Sequence, residues 1–226
     1  MALVYNEEQL MLRDSARDFL KSRAPVSHLR KLRDSNNTEG FSRDLWSEMT
    51  DMGWPAILVP EQYGGTDVGL LPLALGFEKI AAMGISPNIL LVTCMDSACL
   101  ARNASDAIKE QYLPGIVSGE TKFCFAITEA DAGTNSFNMK TSATLQGEKY
   151  LINGSKTYIS GVEIADYMLL VARTTKKEDS DKTAMGQYHG LTLFVVPTDA
   201  PGIEKHLIPV GFKEGVGQYS VFFDNV

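Results

Sequence analysis

Two segments of the chain combine an apolar alternation with small polar residues, a combination that could hold a flat ligand. The first reads FAITEADAGTNS and begins at Phe125. Phe125 and Ile127 alternate with smaller residues, so the pattern predicts a strand with one apolar face. Thr128, Gly133 and Thr134 follow in a polar loop, whose hydroxyls and main-chain N–H groups could bind the edge of a ring system or a phosphate.

The second segment reads YLINGSKTYISG and begins at Tyr150. Asn153-Gly154 predicts a tight hairpin turn, because both residue types tolerate positive φ. The strand after this turn would present Tyr158 and Ser160 on one face, which places an aromatic ring beside a hydroxyl. The same residue types are common in ordinary turns and strand cores, and the pattern alone favours that purely structural interpretation.

Several other chemistries find no support in the sequence. It contains no GxGxxG after a predicted strand, no GxxxxGK[ST], no HExxH and no GxSxG, which disfavours the common nucleotide-binding loops, zinc peptidases and serine hydrolases. The three histidines are scattered and the three cysteines form no CxxC pair, so we predict no metal site and buried, reduced thiols. The net charge of −7 argues against a nucleic-acid partner, although local donors could still bind an anion.

Residues up to about 120 have a helical apolar period. Asn6 and Gln9 form a capping-box pattern, Pro25 ends or restarts the first helix, and Gly53 stops a second amphipathic segment. Helices after the first are predicted at 41–52, 70–83, 87–102 and 106–117, with a structured Pro/Gly-rich loop at 54–70.

From Thr121 the apolar period changes to two. Strands are predicted at 122–127, 141–145, 149–152, 156–159, 166–173, 191–197 and 219–223, and the polar stretch 174–190 is predicted to be a mobile surface loop. Helices followed by strands predict an α+β fold, with an N-terminal all-helical domain at 1–121 and an antiparallel β-barrel or sandwich domain at 122–226. Because the chain stops directly after an apolar strand, we expect a further domain beyond Val226.

The sequence shows no targeting or membrane signal. The N-terminal residues are charged early, and no apolar run approaches the roughly 20 residues that cross a bilayer. We therefore expect a soluble, cytoplasmic protein; a location in the mitochondrial matrix is also compatible with the sequence.

The two polar segments resemble the two flavin-contacting signatures of the acyl-CoA dehydrogenase family. The residues in register with these signatures are Phe125, Ile127, Thr128, Glu129, Ala132 and Gly133, then Asn153, Gly154, Lys156, Tyr158, Ile159 and Ser160. Further stretches that resemble the family are Met52-Gly53-Trp54, 59–65, 111–114, 118–120 and Pro201-Gly202-Ile203. Several motifs in the family's order make this a specific resemblance that runs along the whole chain.

The resemblance implies that FAD is the cofactor and that the first segment contacts it. Phe125, Ile127 and Thr128 would line the isoalloxazine ring, with Thr128 near its pyrimidine edge. Gly133 and Thr134 would contact the flavin diphosphate or the pantetheine of an acyl-CoA, which makes Thr134 a substrate-binding candidate as well.

The resemblance also assigns the second segment and part of the helical domain. Tyr158 would pack on the flavin ring, Ile159 belongs to the same cofactor-binding signature, and Ser160 would hydrogen-bond near the reactive nitrogen. The stretch 90–102 would form part of the acyl tunnel.

The first signature departs from the family at four positions. Ala130, Asp131, Thr134 and Asn135 stand where the family usually has Pro, Gly, Ser and Asp. Asp131 places a negative charge near a site meant for a diphosphate. Together these departures leave the substrate class open.

The implied reaction is the α,β-dehydrogenation of an acyl-CoA thioester, with electrons passing to an electron-transferring flavoprotein. The family's catalytic glutamate lies in a C-terminal helical domain, so we expect the base beyond Val226, name no catalytic residue in this chain, and assign Glu129 a structural role. The chain alone is expected to bind flavin weakly or not at all and to be inactive. At full length we expect a homodimer or homotetramer.

Three alternatives remain open at this stage. The first is an acyl-CoA oxidase or flavin monooxygenase on the same scaffold. The second is a truncated, non-catalytic subunit that assembles with a complete partner. The third is an unrelated β-domain binding module, which requires the motif match to be chance.

Overall fold

The structure, a computed structural model, describes residues 5–34, 42–82, 88–180, 184, 186–210 and 216–226. The chain divides into two compact units, the first made of residues 1–121 with 212–216 and the second of 122–211 with 217–226. Within the described residues, no helix combines the length and the apolarity that crossing a membrane requires.

The first unit is helical. Its α-helices are α1 (Glu7–Arg23), α2 (Val26–Asp34), α3 (Arg43–Asp51), α4 (Leu70–Ala82), α5 (Asn88–Asn103) and α6 (Asp106–Val117). Two short 3-10 turns, Trp54–Ala56 and Glu61–Tyr63, order the Pro/Gly-rich loop between α3 and α4.

The predicted helix boundaries agree with the structure where it describes them. Asn6 Oδ1 accepts a hydrogen bond from Gln9 N at 2.8 Å, and Gln9 Oε1 accepts one from Asn6 N at 3.1 Å, which completes the capping box. Gly53 follows α3 with a left-handed φ of +76°. The predicted helix ends at 41, 83 and 87 lie outside the described residues.

The two tryptophans of the chain are buried in this unit. Trp46 on α3 donates from Nε1 to the carbonyl of Gly119 at 3.0 Å, which gives its indole N–H the partner that burial demands. Trp54 packs edge-on against Phe19 with ring centroids 5.4 Å apart. These two contacts join α3 to the segment at Gly119 and α1 to the 3-10 turn at Trp54.

The second unit contains a seven-stranded sheet. Its strands are β1 (Phe123–Ala126), β2 (Ser142–Gln146), β3 (Lys149–Ser160), β4 (Tyr167–Arg173), β5 (Leu191–Pro197), β6 (Ile203–Leu207) and β7 (Gln218–Phe223). The strand order is β1-β4-β2-β3-β7-β6, and β5 pairs with β4. The apolar pattern does not predict β6, because four of its five residues are exposed.

The predicted α+β class is confirmed, but the sheet is mixed and the prediction of a purely antiparallel β domain is wrong. β1 runs parallel to β4, with Phe123 opposite Tyr167, and β2 meets β4 in parallel at Ser142 and Arg173. The other pairs are antiparallel. After β1 the chain forms the β2–β3 hairpin and then returns as β4, which lies beside β1 and runs in the same direction. A period-two apolar pattern does not show whether two paired strands are parallel or antiparallel.

The predicted hairpin at Asn153-Gly154 is also wrong. β3 continues through both residues, and the tight turn instead lies at Gly147-Glu148, between the paired residues Gln146 and Lys149. Gly154 serves close packing, because a Cβ there would lie 2.7 Å from the Thr141 Cα at a φ of +145°. The pairing of β2 with β3 thus places the turn at Gly147, which the sequence analysis did not identify.

The polar stretch predicted to be a loop contains two short ordered turns. One is a helical turn, α7 (Lys177–Ser180), and the other is a 3-10 turn at Gly186–Tyr188. Residues 181–183 and 185 lie outside the described residues, so the predicted mobility of this stretch stays a prediction.

The second unit is built around one main apolar core. Its buried members are Cys124, Ala126, Ala143, Ile152, Ile159, Val162, Ala165, Met168, Leu170, Ala172, Val196, Val221 and Phe223. A second, smaller cluster contains Ala132, Met139 and Val171. Strand alternation distributes β1 between the two clusters, with Cys124 and Ala126 in the main core and Phe125 against the smaller one.

Candidate functional site

The first predicted site segment leaves β1 with its apolar face turned to the smaller cluster. Phe125 and Ile127 are partly buried and pack against Ala132, Met139 and Val171. The predicted alternation is therefore present, and each of the two side chains keeps some surface outside the cluster. Such a half-buried apolar wall is a suitable surface for a flat aromatic ligand.

The loop after β1 folds back on itself in a narrow turn. Glu129 N donates to the carbonyl of Ala132 at 3.2 Å, and Ala132 N donates to the carbonyl of Glu129 at 3.1 Å. Ala130 and Asp131 form the apex, so the turn closes without the proline that is usual in the family. Asp131 pairs with Lys140 at 2.8 Å on the surface, and this partner offsets part of the charge that Asp131 adds.

Gly133 and Thr134 lie just beyond this turn and are exposed. A Cβ placed on Gly133 would have no heavy atom within 4 Å. No packing constraint from the residues that the structure describes therefore explains a glycine here. The absent side chain leaves the main-chain N–H open to a ligand.

A buried ion pair joins the loop to β3. Lys156 Nζ lies 2.9 Å from Glu129 Oε1 and 3.0 Å from the carbonyl of Ile127, and the side chains are 0% and 8% exposed for Lys156 and Glu129. Glu129 also accepts hydrogen bonds from Lys140 N at 2.6 Å and Thr141 N at 3.0 Å. The carboxylate is thus fully engaged in holding the loop.

The charge state of this pair follows from its surroundings. Burial opposes ionisation of Glu129, but the hydrogen bonds from Lys140, Thr141 and Lys156 together outweigh it and hold the pKa of Glu129 below its ordinary value. Burial lowers the pKa of Lys156 as well, against the opposing effect of Glu129. Because several donors surround the carboxylate, Glu129 is ionised at neutral pH, and its charge favours the protonated form of Lys156.

The two predicted site segments meet along the main chain. Thr157 N on β3 donates to the carbonyl of Thr128 at 2.9 Å. Thr157 directly follows Lys156, and Thr128 lies between Ile127 and Glu129, the two residues that Lys156 contacts. The residues around Ile127–Glu129 and those around Lys156–Tyr158 are therefore neighbours, although about thirty residues of chain separate them.

A β-bulge in β3 controls how the second segment is presented. Lys156 pairs with Val221 and Ile159 with Tyr219, so two residues of β3, Thr157 and Tyr158, lie opposite the single residue Ser220 of β7. Tyr158 lies in the bulge with a left-handed φ of +57° and a 62% exposed side chain. An exposed aromatic residue held in a strained conformation is a feature that function explains better than packing does.

The neighbours of Tyr158 have different environments. Ile159 is 1% exposed and lies in the main core, so it can support the site only from beneath. Ser160 is partly exposed, and its Oγ accepts a hydrogen bond from Gln218 Nε2 at 2.7 Å. This contact orients the hydroxyl, whose own hydrogen remains able to donate.

The structure brings the predicted site residues together unequally. Ile127 and Thr128 lie beside the second segment through direct main-chain and side-chain bonds. Gly133 and Thr134 follow in the same loop but have no recorded hydrogen bond to β3 within the described residues. Sequence reasoning missed Gln218 and gave Lys156 no role of its own. A lysine at an inward position of an apolar strand is the signal that could have identified it.

The described residues contain no group of three or more His, Cys, Asp or Glu side chains arranged to hold a metal ion. The polar groups that the site segments offer are hydroxyls and main-chain N–H groups, which suit an organic or phosphorylated ligand.

Comparisons with known proteins agree with this architecture. The family model of the acyl-CoA dehydrogenase N-terminal domain matches residues 6–120, and that of the acyl-CoA dehydrogenase middle domain matches residues 124–226. Acyl-CoA dehydrogenase FadE12 of Mycobacterium tuberculosis (strain H37Rv) is 33% identical over 226 residues, which cover 100% of this chain and 55% of that protein.

Solved structures share the fold. The structure of glutaryl-coenzyme A dehydrogenase in complex with glutaryl-CoA superposes with a TM-score of 0.85 at 27% identity, covering 100% of this chain and 55% of that chain. A structure of an FAD-dependent dehydrogenase has a TM-score of 0.80 at 30% identity and covers 100% of this chain and 56% of that one.

A helical unit followed by this mixed sheet is thus an arrangement found in solved dehydrogenase structures. The chain belongs to the acyl-CoA dehydrogenase family. It spans about half the length of the curated relatives it matches, with 55% of FadE12 covered.

Proposed function

We propose that the protein takes part in the FAD-dependent α,β-dehydrogenation of an acyl-CoA thioester. In this reaction a base removes a proton from the α carbon while the β carbon gives up a hydride. FAD, when bound, supplies the hydride acceptor. The relatives named for this activity support the proposal, and the site geometry supports it independently.

The single observation that carries the proposal is the hydrogen bond from Thr157 N to the carbonyl of Thr128. It joins the loop after β1 to the bulge of β3, and we infer from this contact that the two segments form one surface. That surface combines apolar side chains, hydroxyls, an open glycine main chain and an exposed tyrosine, which together fit a ring system with a phosphorylated tail.

Each candidate residue has a role that its environment allows. Phe125 and Ile127 would provide the apolar wall for the isoalloxazine, and Thr128 a hydroxyl at its polar edge. Tyr158 would pack on the ring. Ser160 would donate to it, since Gln218 already occupies the acceptor side of that hydroxyl.

The remaining two residues lie where a phosphorylated tail could approach. Gly133 and Thr134 would contact the diphosphate of the cofactor or the pantetheine of the substrate through an N–H and a hydroxyl. Ile159, which is buried in the core, would contribute by fixing the position of Tyr158 and Ser160 on either side of it.

We assign no catalytic base within the described residues. Glu129 lies in the first signature, but it accepts bonds from Lys156, Lys140 and Thr141, and the pKa of its carboxyl is lowered. A general base needs a free lone pair and a pKa close to the working pH. We therefore propose that the 226-residue chain by itself does not turn over substrate. We also propose that it binds FAD weakly or not at all.

The wider organisation is part of the same proposal. We place the domain boundary between residues 121 and 122, and the family models that match 6–120 and 124–226 support this division. An electron-transferring flavoprotein would receive the electrons, and the complete protein would form a homodimer or homotetramer.

The test compares the product of the complete reading frame with the 226-residue chain. We expect the complete product to bind FAD and to lose its visible flavin absorbance on addition of acyl-CoA thioesters under nitrogen. Loss of this response in a Ser160→Ala variant, with folding intact, would support the assigned site. A complete product that binds no flavin would refute the proposal. Rapid oxygen consumption by the reduced protein would show that the activity is that of an oxidase and not of a dehydrogenase.

A matched pair of variants tests the phosphate side of the site. Gly133→Ala should leave the free energy of unfolding within about 0.5 kcal/mol of the parent, because its Cβ has no neighbour within 4 Å. In the complete product, Gly133→Ala should nevertheless weaken the binding of FAD or of acyl-CoA. The added methyl group would obstruct a ligand that approaches the main chain. Gly76→Ala, at a glycine that also has no neighbour within 4 Å and no left-handed φ, controls for an effect of alanine in general, and unchanged ligand binding in Gly133→Ala would remove Gly133 from the site.

A further inference from the structure

A groove lies on the second unit where β2 begins and β4 ends. Its volume is about 860 Å³, and its walls include residues of β2, of the turn at Asn138–Lys140 and of the segment Arg173–Glu178. This volume is in the range of small-molecule sites. The groove shares Asp131 and Lys140 with the loop that carries Gly133 and Thr134.

The floor of the groove contains a buried cation without a carboxylate partner. Arg173 is 5% exposed. Its guanidinium donates to the carbonyl of Met139 at 3.1 Å, to the carbonyl of Phe137 at 2.5 Å and, weakly, to Ser180 Oγ at 3.5 Å. These three acceptors serve five N–H groups, and among the described residues no carboxylate forms an ion pair with Arg173.

This arrangement fixes the guanidinium without neutralising it. Carbonyl oxygens satisfy part of its hydrogen bonding, but a buried charge remains costly until an opposite charge reaches it. An anion in the groove would provide that charge. The planar guanidinium is especially suited to the oxygen pairs of a phosphate group.

The rim of the groove adds positive charge to a protein that is acidic as a whole. The cationic side chains that line it are those of Arg173, Lys140, Lys176 and Lys177, against the carboxylates of Asp131 and Glu178. Lys140 already pairs with Asp131, and Lys177 donates to the amide oxygen of Asn138 at 2.5 Å. An excess of positive charge at this place, with a net charge of −7 for the chain, favours an anionic ligand locally.

We propose that this groove binds a phosphate ester, with Arg173 at its floor and Lys176 and Lys177 at its rim. The phosphoryl group could belong to the nucleotide end of a coenzyme A thioester or to free phosphate. The first source rests on the proposed function, because the groove adjoins the loop assigned to the pantetheine. The phosphate site itself does not depend on that function.

The experiment is calorimetric titration of the full 226-residue chain with adenosine 3′,5′-bisphosphate and, separately, with inorganic phosphate. We expect the bisphosphate to bind, and its dissociation constant to rise about tenfold or more in a Lys176→Ala/Lys177→Ala double variant, because two charge-assisted contacts are lost. Lys205→Ala is the matched control, since Lys205 is an exposed lysine on β6 that does not line the groove. It should leave the affinity unchanged.

A second variant addresses the buried cation. Arg173→Lys keeps the charge but loses the planar fork, so it should weaken bisphosphate binding while the far-ultraviolet spectrum remains that of the parent. If this variant fails to fold, the double lysine variant still decides the matter. Binding of the bisphosphate that is tighter than that of inorganic phosphate assigns the groove to the nucleotide end of coenzyme A, and equal binding assigns it to free phosphate.

The outcome that overturns the proposal is distinct from the outcome that overturns the proposed function. If neither probe binds, or if the double lysine variant binds the bisphosphate as tightly as the parent does, the groove is not a phosphate site. Neither probe contains a thioester or an acyl chain. Suppose that the complete protein dehydrogenates acyl-CoA but the 226-residue chain binds neither probe. The proposed function would then stand, and the proposed phosphate site would be refuted.

Discussion

Lys156 shows how one residue can determine the geometry of two segments. Its ammonium reaches the carbonyl of Ile127 and the carboxylate of Glu129, and the adjacent residue Thr157 bonds to Thr128. The long aliphatic stem of a lysine can cross the interior while the charge finds a partner there. The loop that carries the proposed flavin contacts is therefore positioned by a lysine whose side chain is fully buried.

Replacing Lys156 by methionine should be severely destabilising. The variant keeps the apolar stem but leaves the buried Glu129 carboxylate without its cation, which costs about 3–5 kcal/mol of unfolding free energy. Urea unfolding followed by circular dichroism measures the loss. Lys149→Met, at an exposed position of the same strand, is the control and should change the unfolding free energy by less than about 0.5 kcal/mol. A loss below 1 kcal/mol in Lys156→Met would mean that the pair is as weak as a surface ion pair.

The same pair predicts a dependence on acid. Because the folded-state pKa of Glu129 lies below its ordinary value of 4.5, its contribution to stability is present above that value and disappears as the pH falls through the lowered pKa. The unfolding midpoint of the sheet should therefore fall as the pH is lowered below about 4.5. Glu129→Gln should flatten this part of the pH profile, and an unchanged profile would show that Glu129 is not the responsible group.

Tyr158 offers a comparison between stability and binding. Its φ of +57° is unfavourable for any residue with a Cβ, so Tyr158→Gly should exceed Tyr158→Ala in unfolding free energy by about 1 kcal/mol. Both variants lack the ring and should lose flavin affinity equally in the complete protein. Equal stabilities of the two variants would indicate that the bulge relaxes when the ring is removed.

At the scale of elements, β3 is the strand that organises the second unit. It pairs with β2 along its first half and with β7 along its second half. Gly154 lies at the change between the two partners, where a Cβ would meet the main chain of Thr141 at 2.7 Å. A long continuous strand thus depends on one position that has no side chain.

Gly154→Ala should therefore lower the unfolding free energy by about 1–3 kcal/mol, because the main chain at Thr141 cannot move away as a flexible side chain could. Chemical denaturation compares it with Gly133→Ala, whose Cβ has no neighbour within 4 Å. If Gly154→Ala were as stable as that control, β2 and β3 would not approach each other as closely as described.

The sequence predicts individual elements better than their pairing. The capping box at Asn6, the stop at Gly53 and most strands follow from local patterns, which are properties of a few adjacent residues. Local patterns do not determine the parallel pairing of β1 with β4 or the continuation of β3 through Asn153-Gly154. Both depend on which strand lies alongside, and Asn153 is occupied by a hydrogen bond from Asn225 N at 3.0 Å.

The candidate site shows the same division. The signature residues could be chosen from the sequence, and so could a structural role for Glu129. The bulge that exposes Tyr158 could not, because it arises from the register between β3 and β7. Nor could the groove around Arg173, since its lining comes from three separate stretches of chain.

At the scale of the whole molecule, the two units carry buried acids with opposite responses to pH. In the helical unit, Asp96 on α5 is 0% exposed, and neither of its side-chain oxygens has a hydrogen-bond partner in the described part of the chain. Burial raises the pKa of Asp96 well above its ordinary value. Its contribution to stability is therefore fully present below pH 3.8 and is lost as the pH rises through the raised pKa.

Tryptophan fluorescence can follow this effect, because both tryptophans belong to the helical unit. The unfolding midpoint of that unit should fall as the pH rises above the ordinary Asp value of 3.8, and Asp96→Asn should remove most of this fall and be the more stable protein at neutral pH. Glu110→Gln, at an exposed position on α6, is the control and should leave the profile unchanged. A parent profile that does not vary with pH would contradict the burial of an unpartnered Asp96.

The sequestration of the Lys156 amine has a chemical consequence. Reagents that acylate lysines act on accessible, neutral amines, and this one is enclosed by the loop it holds. Its modification must wait until β3 separates from that loop, whereas Lys149 on the same strand reacts without any opening. The ratio of the two labelling rates, read by mass spectrometry, therefore measures how often the sheet opens at this point, and it does so without any mutation.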